Sequence, residues 1–206
     1  MLKLVVGDRN FSSWSLRPWL AAKQAGLPFD EVTVRLRAAD AKAAILKYSP
    51  SGKVPCLIDG TTLVWDSLAI CEYLAELAPA LWPTDRAARA EARSVSAEMH
   101  AGFTALRQNM GMEIRAARPG EGHSPEVDVD IARIVAIWES CRQRFAAGGP
   151  FLFGAFSIAD AMYAPVVWRF QTYAVALPPA TQAWTKAMLA LPAMREWQAG
   201  ALAEAG

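Results

Sequence analysis

The sequence is poor in cysteine, histidine and uncompensated charge. Its 206 residues include three cysteines (Cys56, Cys71 and Cys141) and two histidines. Because no Cys-x-x-Cys motif or histidine pair is present, we expect neither a disulfide scaffold nor a bound metal. Twenty-one basic residues are balanced by twenty acidic ones, which leaves a formal charge of +1. That balance argues against nucleic acid as a partner, because a nucleic-acid-binding surface needs an excess of basic side chains.

The sequence also lacks a hydrophobic run that is long enough to span a bilayer. The two longest stretches without a charged side chain, residues 145–159 and 170–185, have 15 and 16 residues, and both are interrupted by proline. A membrane helix needs about 20 apolar residues. The first residues, Met1–Asp8, have no signal-peptide hydrophobic region. We therefore expect no membrane association and a cytoplasmic location.

Residues 1–78 alternate between strand-like and helix-like patterns. Apolar runs predict strands near residues 2–6, 29–36, 54–58 and 61–65, and helical spacing predicts helices near 15–25, 38–48 and 66–77. Asp59-Gly60, between the last two strands, predicts a type I′ hairpin in which both central residues have positive φ. The order β-α-β-α-β-β-α predicts a small mixed sheet with helices on its faces.

The rest of the chain has helical patterns only, after a proline-rich linker at residues 79–83. Thr84–Ala117 predicts one long helix or two stacked helices. Ser124-Pro125 predicts a helix start, Ser157-Ile-Ala-Asp160 predicts a capping box, and prolines at 178, 179 and 192 delimit two further helices. The predicted fold class is therefore an α/β domain over residues 1–78 followed by an all-α domain over residues 84–206.

Three features of the first half are candidates for a binding site. Ser12 and Ser13 lie at a helix N-terminus, where unpaired N–H groups and the helix dipole favour an anion such as a thiolate. A cis Val54-Pro55 bond would turn the Val54 backbone outward toward a peptide ligand, and the neighbouring Lys53 is a candidate partner for a carboxylate.

Asp66-Ser67 begins a later helix and is a second possible anion site. Each feature also has a simpler interpretation. The serines and Asp66-Ser67 serve as ordinary caps, Pro55 opens an edge strand, and Lys53 is a solvated surface lysine.

The order and spacing of these features resemble the cytosolic glutathione transferases, whose first domain is thioredoxin-like. The helical second half, the Leu-Trp-Pro linker and Ser-Ile-Ala-Asp160 are also similar to that family. Ser-Ser-Trp-Ser-Leu-Arg at 12–17 resembles the zeta-class signature Ser-Ser-Cys-x-x-Arg. Trp14 stands where zeta enzymes have cysteine, which weakens any transfer of the zeta-class isomerase activity and removes a thiol that relatives use for mixed disulfides.

The resemblance implies a function and a role for each candidate residue. The chain is expected to be a homodimeric glutathione transferase, with glutathione as co-substrate and no metal. A serine hydroxyl would hold the glutathione sulfur as thiolate for attack on a small electrophile. The apolar face of the first helix favours Ser12 for this role, whereas counting back from Arg17 favours Ser13. The residues expected to bind the rest of glutathione are Trp14, Lys53, Val54, Pro55, Asp66 and Ser67.

Within that set the resemblance implies specific contacts. The Val54 backbone would pair with the cysteinyl part across cis-Pro55, Asp66 and Ser67 would hold the γ-glutamyl end, and Lys53 would meet the glycine carboxylate.

In the second half, the electrophile pocket would include Phe103, Thr104, Arg107 and Gln108. A core or dimer stripe that runs through His100, Phe103, Arg107, Met110 and Ile114 is the alternative interpretation of that segment. Two other functions stay open: a zeta-like glutathione-dependent isomerase of a small dicarboxylate, and a binding or regulatory protein without turnover.

Overall fold

The computed structural model describes residues 1–204. Four strands form one sheet in the order β2-β1-β3-β4: β1 (Leu2–Gly7), β2 (Phe29–Val34), β3 (Cys56–Asp59) and β4 (Thr62–Trp65). β1 runs parallel to β2 and antiparallel to β3, and β3 runs antiparallel to β4. Helices α1 (Ser13–Gln24), α2 (Ala41–Leu46) and α3 (Ser67–Leu77) complete the predicted β-α-β-α-β-β-α order.

The second half of the described chain consists of six helices and short connections. They are α4 (Arg86–Ala101), α5 (Thr104–Asn109), α6 (Pro125–Phe145), α7 (Ile158–Tyr173), α8 (Pro179–Ala190) and α9 (Pro192–Ala203). The predicted fold class is confirmed. The predicted division of the chain at residues 79–83 stays a prediction; this stretch contains a single 3-10 turn, Pro79–Leu81.

Two local expectations are wrong. The β3–β4 hairpin forms, but its loop residues are Gly60 and Thr61, since Asp59 already pairs with Thr62. Of these two central residues, Gly60 has a positive φ and Thr61 does not, so the turn is not type I′. The second error is the extent of the one or two helices expected over Thr84–Ala117: two helices form, but they end at Ala101 and Asn109 and leave residues 110–117 without a helix.

The chain breaks between α4 and α5 for a local reason. Phe103 adopts a left-handed backbone conformation (φ 60°), and a Cβ at Gly102 would lie 2.9 Å from the Glu98 carbonyl oxygen. Because the chain turns here, the predicted stripe from His100 through Arg107 to Ile114 does not exist as one helix face.

One hydrophobic core joins the two halves. α1 packs on α3 and also on α7, so that Leu16, Trp19 and Leu20 of α1 belong to the same buried cluster as Tyr163 and Val166 of α7. A small separate cluster, with Val5, Val34, Ile45 and Cys56, covers the other face of the sheet. The three cysteines are buried free thiols. None of the helices within residues 1–204 is both long and apolar enough to cross a membrane.

Candidate active site

All six residues predicted to bind glutathione line one cavity of about 640 Å³. The lining consists of Trp14, Ser51, Lys53, Val54, Pro55, Trp65, Asp66 and Ser67. Clefts of about 630 and 540 Å³ lie elsewhere on the molecule, so volume alone does not distinguish this one. This cavity is distinguished by the three segments, distant in sequence, that converge on it: the start of α1, the segment before β3 and the start of α3.

The segment before β3 presents unpaired backbone to the cavity. The Val54-Pro55 peptide bond is cis, as the family resemblance implied. The ladder with β1 begins only at Cys56, and within residues 1–204 the Val54 N–H and C=O have no hydrogen-bond partner. Backbone groups of this kind are available to an extended peptide, which pairs with them as an added strand does.

Lys53 lies at the rim of the same cavity. Its side chain is exposed and forms no ion pair with the described residues, while its backbone N–H donates to Ser51 Oγ at 3.2 Å. A lysine in this position is a free cation beside the cavity.

Ser51 and the half-exposed Trp65 are lining residues that the sequence analysis did not select, because a serine before Gly52 and an aromatic at a strand end are common in any fold.

The start of α3 contributes a carboxylate and a hydroxyl. Asp66 has a positive φ of 77°, and its Oδ1 accepts hydrogen bonds from the backbone N–H groups of Leu68 and Ala69 at 2.9 and 3.3 Å. Ser67 lines the cavity although it is only 1% exposed. The capping interpretation of Asp66 is therefore confirmed, and its Oδ2 remains for a second partner.

That second partner is His100, near the end of α4. Its Nε2 lies 3.3 Å from Asp66 Oδ2, and its ring packs edge-on against Trp14 at 5.3 Å between centroids. Desolvation lowers the pKa of His100, partly opposed by Asp66, and Arg17 and Arg107 lower it further. The sequence analysis assigned His100 to a core or dimer stripe; its contact with Asp66 forms only when α4 packs on α3.

The two candidate serines at the start of α1 are both buried and both hydrogen-bonded. Ser12 is the N-cap residue, but its side chain does not cap the helix. Instead, Ser12 Oγ donates to Ser15 Oγ at 2.7 Å. The same Ser15 oxygen also accepts a hydrogen bond from the Gly7 N–H. Ser13 Oγ accepts a hydrogen bond from Arg169 at 3.3 Å. Neither serine is among the residues that line the cavity, whereas Trp14, the next residue, is.

Trp14 is surrounded by cationic groups. The guanidinium carbons of Arg17 and Arg107 lie 4.3 and 4.8 Å from its ring centroid, within the range of cation–π attraction. Burial lowers the pKa of Arg17 to about 9 and that of Arg169 to about 10, and in both cases Arg107 adds to the shift. Three guanidinium groups thus raise the electrostatic potential next to the cavity.

The predicted electrophile-pocket residues lie on α5 and just before it. Phe103 is buried in the core, whereas Thr104 and Gln108 are exposed. Arg107 donates to three carbonyl oxygens at the end of α4, those of Met99, His100 (3.0 Å) and Gly102 (2.9 Å). Its guanidinium therefore caps α4 while it stacks on Trp14. None of these four residues is among those that line the 640 Å³ cavity, and their role as an electrophile pocket stays a prediction.

Two family models match the chain. The model of the N-terminal domain of glutathione S-transferases matches residues 11–77, and the model of the C-terminal domain matches residues 85–197. The chain belongs to the glutathione S-transferase family. This membership confirms the resemblance drawn from the sequence motifs.

Curated relatives point toward the zeta class. The chain is 35% identical over 100 residues to a probable maleylacetoacetate isomerase of Caenorhabditis elegans, an alignment that covers 48% of this chain and 46% of that protein. It is 39% identical over 69 residues to a zeta-class glutathione S-transferase of Euphorbia esula, covering 33% of this chain and 31% of the relative. The chain thus aligns with less than half the length of these curated relatives.

Solved glutathione S-transferase structures share the whole fold. A theta-class enzyme from Xanthomonas axonopodis pv. citri with glutathione bound is 26% identical, covers 98% of both chains and superposes with a TM-score of 0.63. A glutathione transferase homolog from Burkholderia GL BGR1, also with bound glutathione, is 22% identical with a TM-score of 0.73 and covers 98% of this chain and 99% of the other.

Proposed function

We propose that the chain is a glutathione transferase that binds glutathione in the 640 Å³ cavity and holds its sulfur as a thiolate for attack on small electrophiles. The observation that supports this most directly is the convergence of Trp14, Lys53, Val54, Asp66 and Ser67 on one cavity. Glutathione has three parts that suit this arrangement: a carboxylate for Lys53, a central peptide for the Val54 backbone, and an amino-acid end for Asp66 and Ser67.

The charge distribution suits thiolate formation. A cysteine thiol with a pKa of about 8.5 is about 3% ionised at pH 7, and lowering that pKa by about two units requires about 2.7 kcal/mol in favour of the anion. One hydroxyl hydrogen bond to an anion contributes about 1.5–3 kcal/mol, and a helix N-terminus adds about 0.3–1 kcal/mol. A serine at the start of α1 is therefore sufficient.

We assign the hydroxyl to Ser12, with Ser13 as the alternative. Ser12 is the N-cap residue at the positive end of α1, and turning its proton from Ser15 to a thiolate replaces a neutral hydrogen bond by a charged one, which is the stronger of the two. Ser13 has a different support: Arg169 donates to its Oγ, so its own proton is free for another acceptor.

Single alanine variants distinguish the two serines. Ser12→Ala should reduce the rate of conjugation to chlorodinitrobenzene about 10–100-fold, the equivalent of one charged hydrogen bond, and should raise the pH at which bound glutathione shows thiolate absorbance. Ser94→Ala is the matched control, because Ser94 is an exposed serine of α4 whose hydroxyl donates to the Ala90 carbonyl of the same helix. A silent Ser12→Ala with a damaged Ser13→Ala would transfer the role to Ser13.

A zeta-like isomerase is the second candidate, because one relative is named a probable maleylacetoacetate isomerase. Isomerisation of a cis-unsaturated dicarboxylate regenerates glutathione, whereas conjugation consumes its thiol. Loss of the substrate's cis form with constant free thiol would therefore favour the isomerase. Retention on glutathione-agarose without either reaction would favour the third candidate, a binding protein without turnover. The homodimer and the cytoplasmic location stay predictions.

A further inference from the structure

Arg17 is a buried cation that forms no ion pair with any other residue of the described range 1–204. Its residue is 2% exposed, and within residues 1–204 its Nε has no hydrogen-bond partner. Arg17 Nη1 donates a hydrogen bond to Ser67 Oγ at 3.4 Å. Its guanidinium carbon stacks over Trp14 at 4.3 Å.

Such an arrangement is costly unless the charge meets an anion. A buried ion without a partner loses its hydration and gains nothing in exchange. Burial lowers the pKa of Arg17 to about 9, so the guanidinium still carries its charge at pH 7. Arg107 and Arg169 increase the local excess of positive charge. Asp66, whose negative charge favours the protonated form of Arg17, directs its oxygens to the α3 backbone and to His100.

The bond to Ser67 has a directional consequence. A serine hydroxyl has one proton and two lone pairs. Since Arg17 donates to Ser67 Oγ from inside the protein, one lone pair is occupied there, and the proton is available on the side that lines the cavity. The contact therefore fixes Ser67 as a donor and favours an acceptor with negative charge opposite it.

We propose that Arg17 is the positioning residue for the α-carboxylate of the γ-glutamyl end of glutathione: it orients the Ser67 hydroxyl toward that carboxylate and supplies the buried positive charge behind it. This inference rests on the proposed function, because it assumes that glutathione occupies the cavity. It assigns to Arg17 a role in binding one end of the ligand and none at the sulfur.

Calorimetric titration of truncated ligands tests this assignment. Glutathione and γ-glutamylcysteine contain the γ-glutamyl carboxylate, whereas cysteinylglycine lacks it. Arg17→Met should weaken binding of the first two at least about 10-fold, as expected for loss of a charged hydrogen bond, and should change binding of cysteinylglycine less than about 2-fold. Arg17→Lys, which keeps the charge but not the planar fork, should fall between wild type and Arg17→Met.

A double-mutant cycle tests whether Arg17 acts through Ser67. If it does, Arg17→Met should add little to the loss of affinity already caused by Ser67→Ala. Arg142→Met is the control for a lost arginine, since Arg142 donates to the carbonyls of Gly149 and Phe151 far from the cavity, and its binding of glutathione should be unchanged. If Arg17→Met does not fold, the same cycle uses Arg17→Lys.

The outcomes separate the inference from the proposed function. Equal weakening of all three ligands, full additivity with Ser67→Ala, or unchanged glutathione affinity in a folded Arg17→Met variant would overturn the role of Arg17 while leaving the transferase proposal intact. A wild-type protein that binds none of the three ligands would overturn both.

Discussion

Asp160 connects three parts of the helical half although it is a single capping residue. It is fully buried, and its carboxylate accepts hydrogen bonds from the Ser157 N–H, the Ser157 hydroxyl, the Leu152 N–H and the Trp184 indole, all at 2.9–3.0 Å. Burial raises its pKa, and these four donors oppose that shift. The capping box predicted from Ser157 and Asp160 is confirmed, but only one of these four bonds, from the Ser157 N–H, belongs to it.

Removal of this carboxylate should therefore cost more than the loss of a cap. We expect Asp160→Ala to reduce the free energy of unfolding by about 3–5 kcal/mol, because it leaves buried donors without acceptors. Asp85→Ala is the matched control: Asp85 is the exposed N-cap of α4 and accepts from the Ala88 N–H alone, so about 1 kcal/mol should be lost. Urea titration measures both. An equal decrease in the free energy of unfolding of the two variants would show that Asp160 contributes no more than an ordinary cap.

The predictability of a residue's role depends on how far away its partners are. Ser124, Ser157 and Asp160 were predicted as caps, because a capping residue and its helix are adjacent in sequence. Asp66 and Ser67 were predicted for the same reason. The role of Arg17 was not, since Ser67 lies 50 residues away. His100 was also missed, since no local pattern indicates its contact with Asp66.

At the scale of elements, the loop before α1 is held by the end of the chain. The Glu204 carboxylate accepts hydrogen bonds from the backbone N–H groups of Arg9 and Asn10 at 2.5 and 3.1 Å, and the Trp197 indole of α9 donates to the Arg9 carbonyl at 2.8 Å. Asn10 is buried and accepts from the Arg115 N–H. These contacts fix the positions of Arg9 and Asn10, which are separated from Ser12 by Phe11.

Loss of the Glu204 carboxylate should loosen this loop. We expect Glu204→Ala to speed hydrogen exchange at the Arg9 and Asn10 amides about 10-fold, because those N–H groups lose their acceptor, with a decrease in the free energy of unfolding of about 1–2 kcal/mol. Glu121→Ala, which removes a surface glutamate paired with Arg118, is the control. Unchanged exchange at both amides would show that Asn10 and Trp197 hold the loop without Glu204.

Elements with a strong local pattern were predicted well, and those decided by tertiary packing were not. The strands, the hairpin and the helices that begin at Pro125, Ile158, Pro179 and Pro192 follow from apolar periodicity and from proline and capping signals. The break at Gly102 was left undecided between one long helix and two stacked helices, because a single glycine within a helical pattern is usually tolerated. Residues 110–117 run without a helix because Arg115 and Ile114 bond to Asn10 of the first half instead.

At the scale of the whole molecule, the candidate site and the core both depend on contact between the two halves. The cavity is lined by the first half, but His100 and Arg107 of the second half contact Trp14, and Arg169 of α7 donates to Ser13. α1 carries Ser13, Trp14 and Arg17 on the same helix that packs Leu16 and Leu20 into the common core. A change in the packing of α1 on α7 therefore changes the position of the site residues.

This shared core predicts that the two halves unfold together. Separation of α1 from α7 would expose apolar side chains on both helices, so neither half should remain folded after the other has unfolded. We expect one calorimetric transition, and we expect Asp160→Ala in the helical half to speed hydrogen exchange in β1, at Leu4–Val6, as much as in α7. Fragment 1–78, expressed alone, should show no cooperative thermal transition. Two resolved transitions, or unchanged exchange in β1 of the Asp160→Ala variant, would show that the thioredoxin-like half has a core of its own and that the site does not depend on the helical half for its geometry.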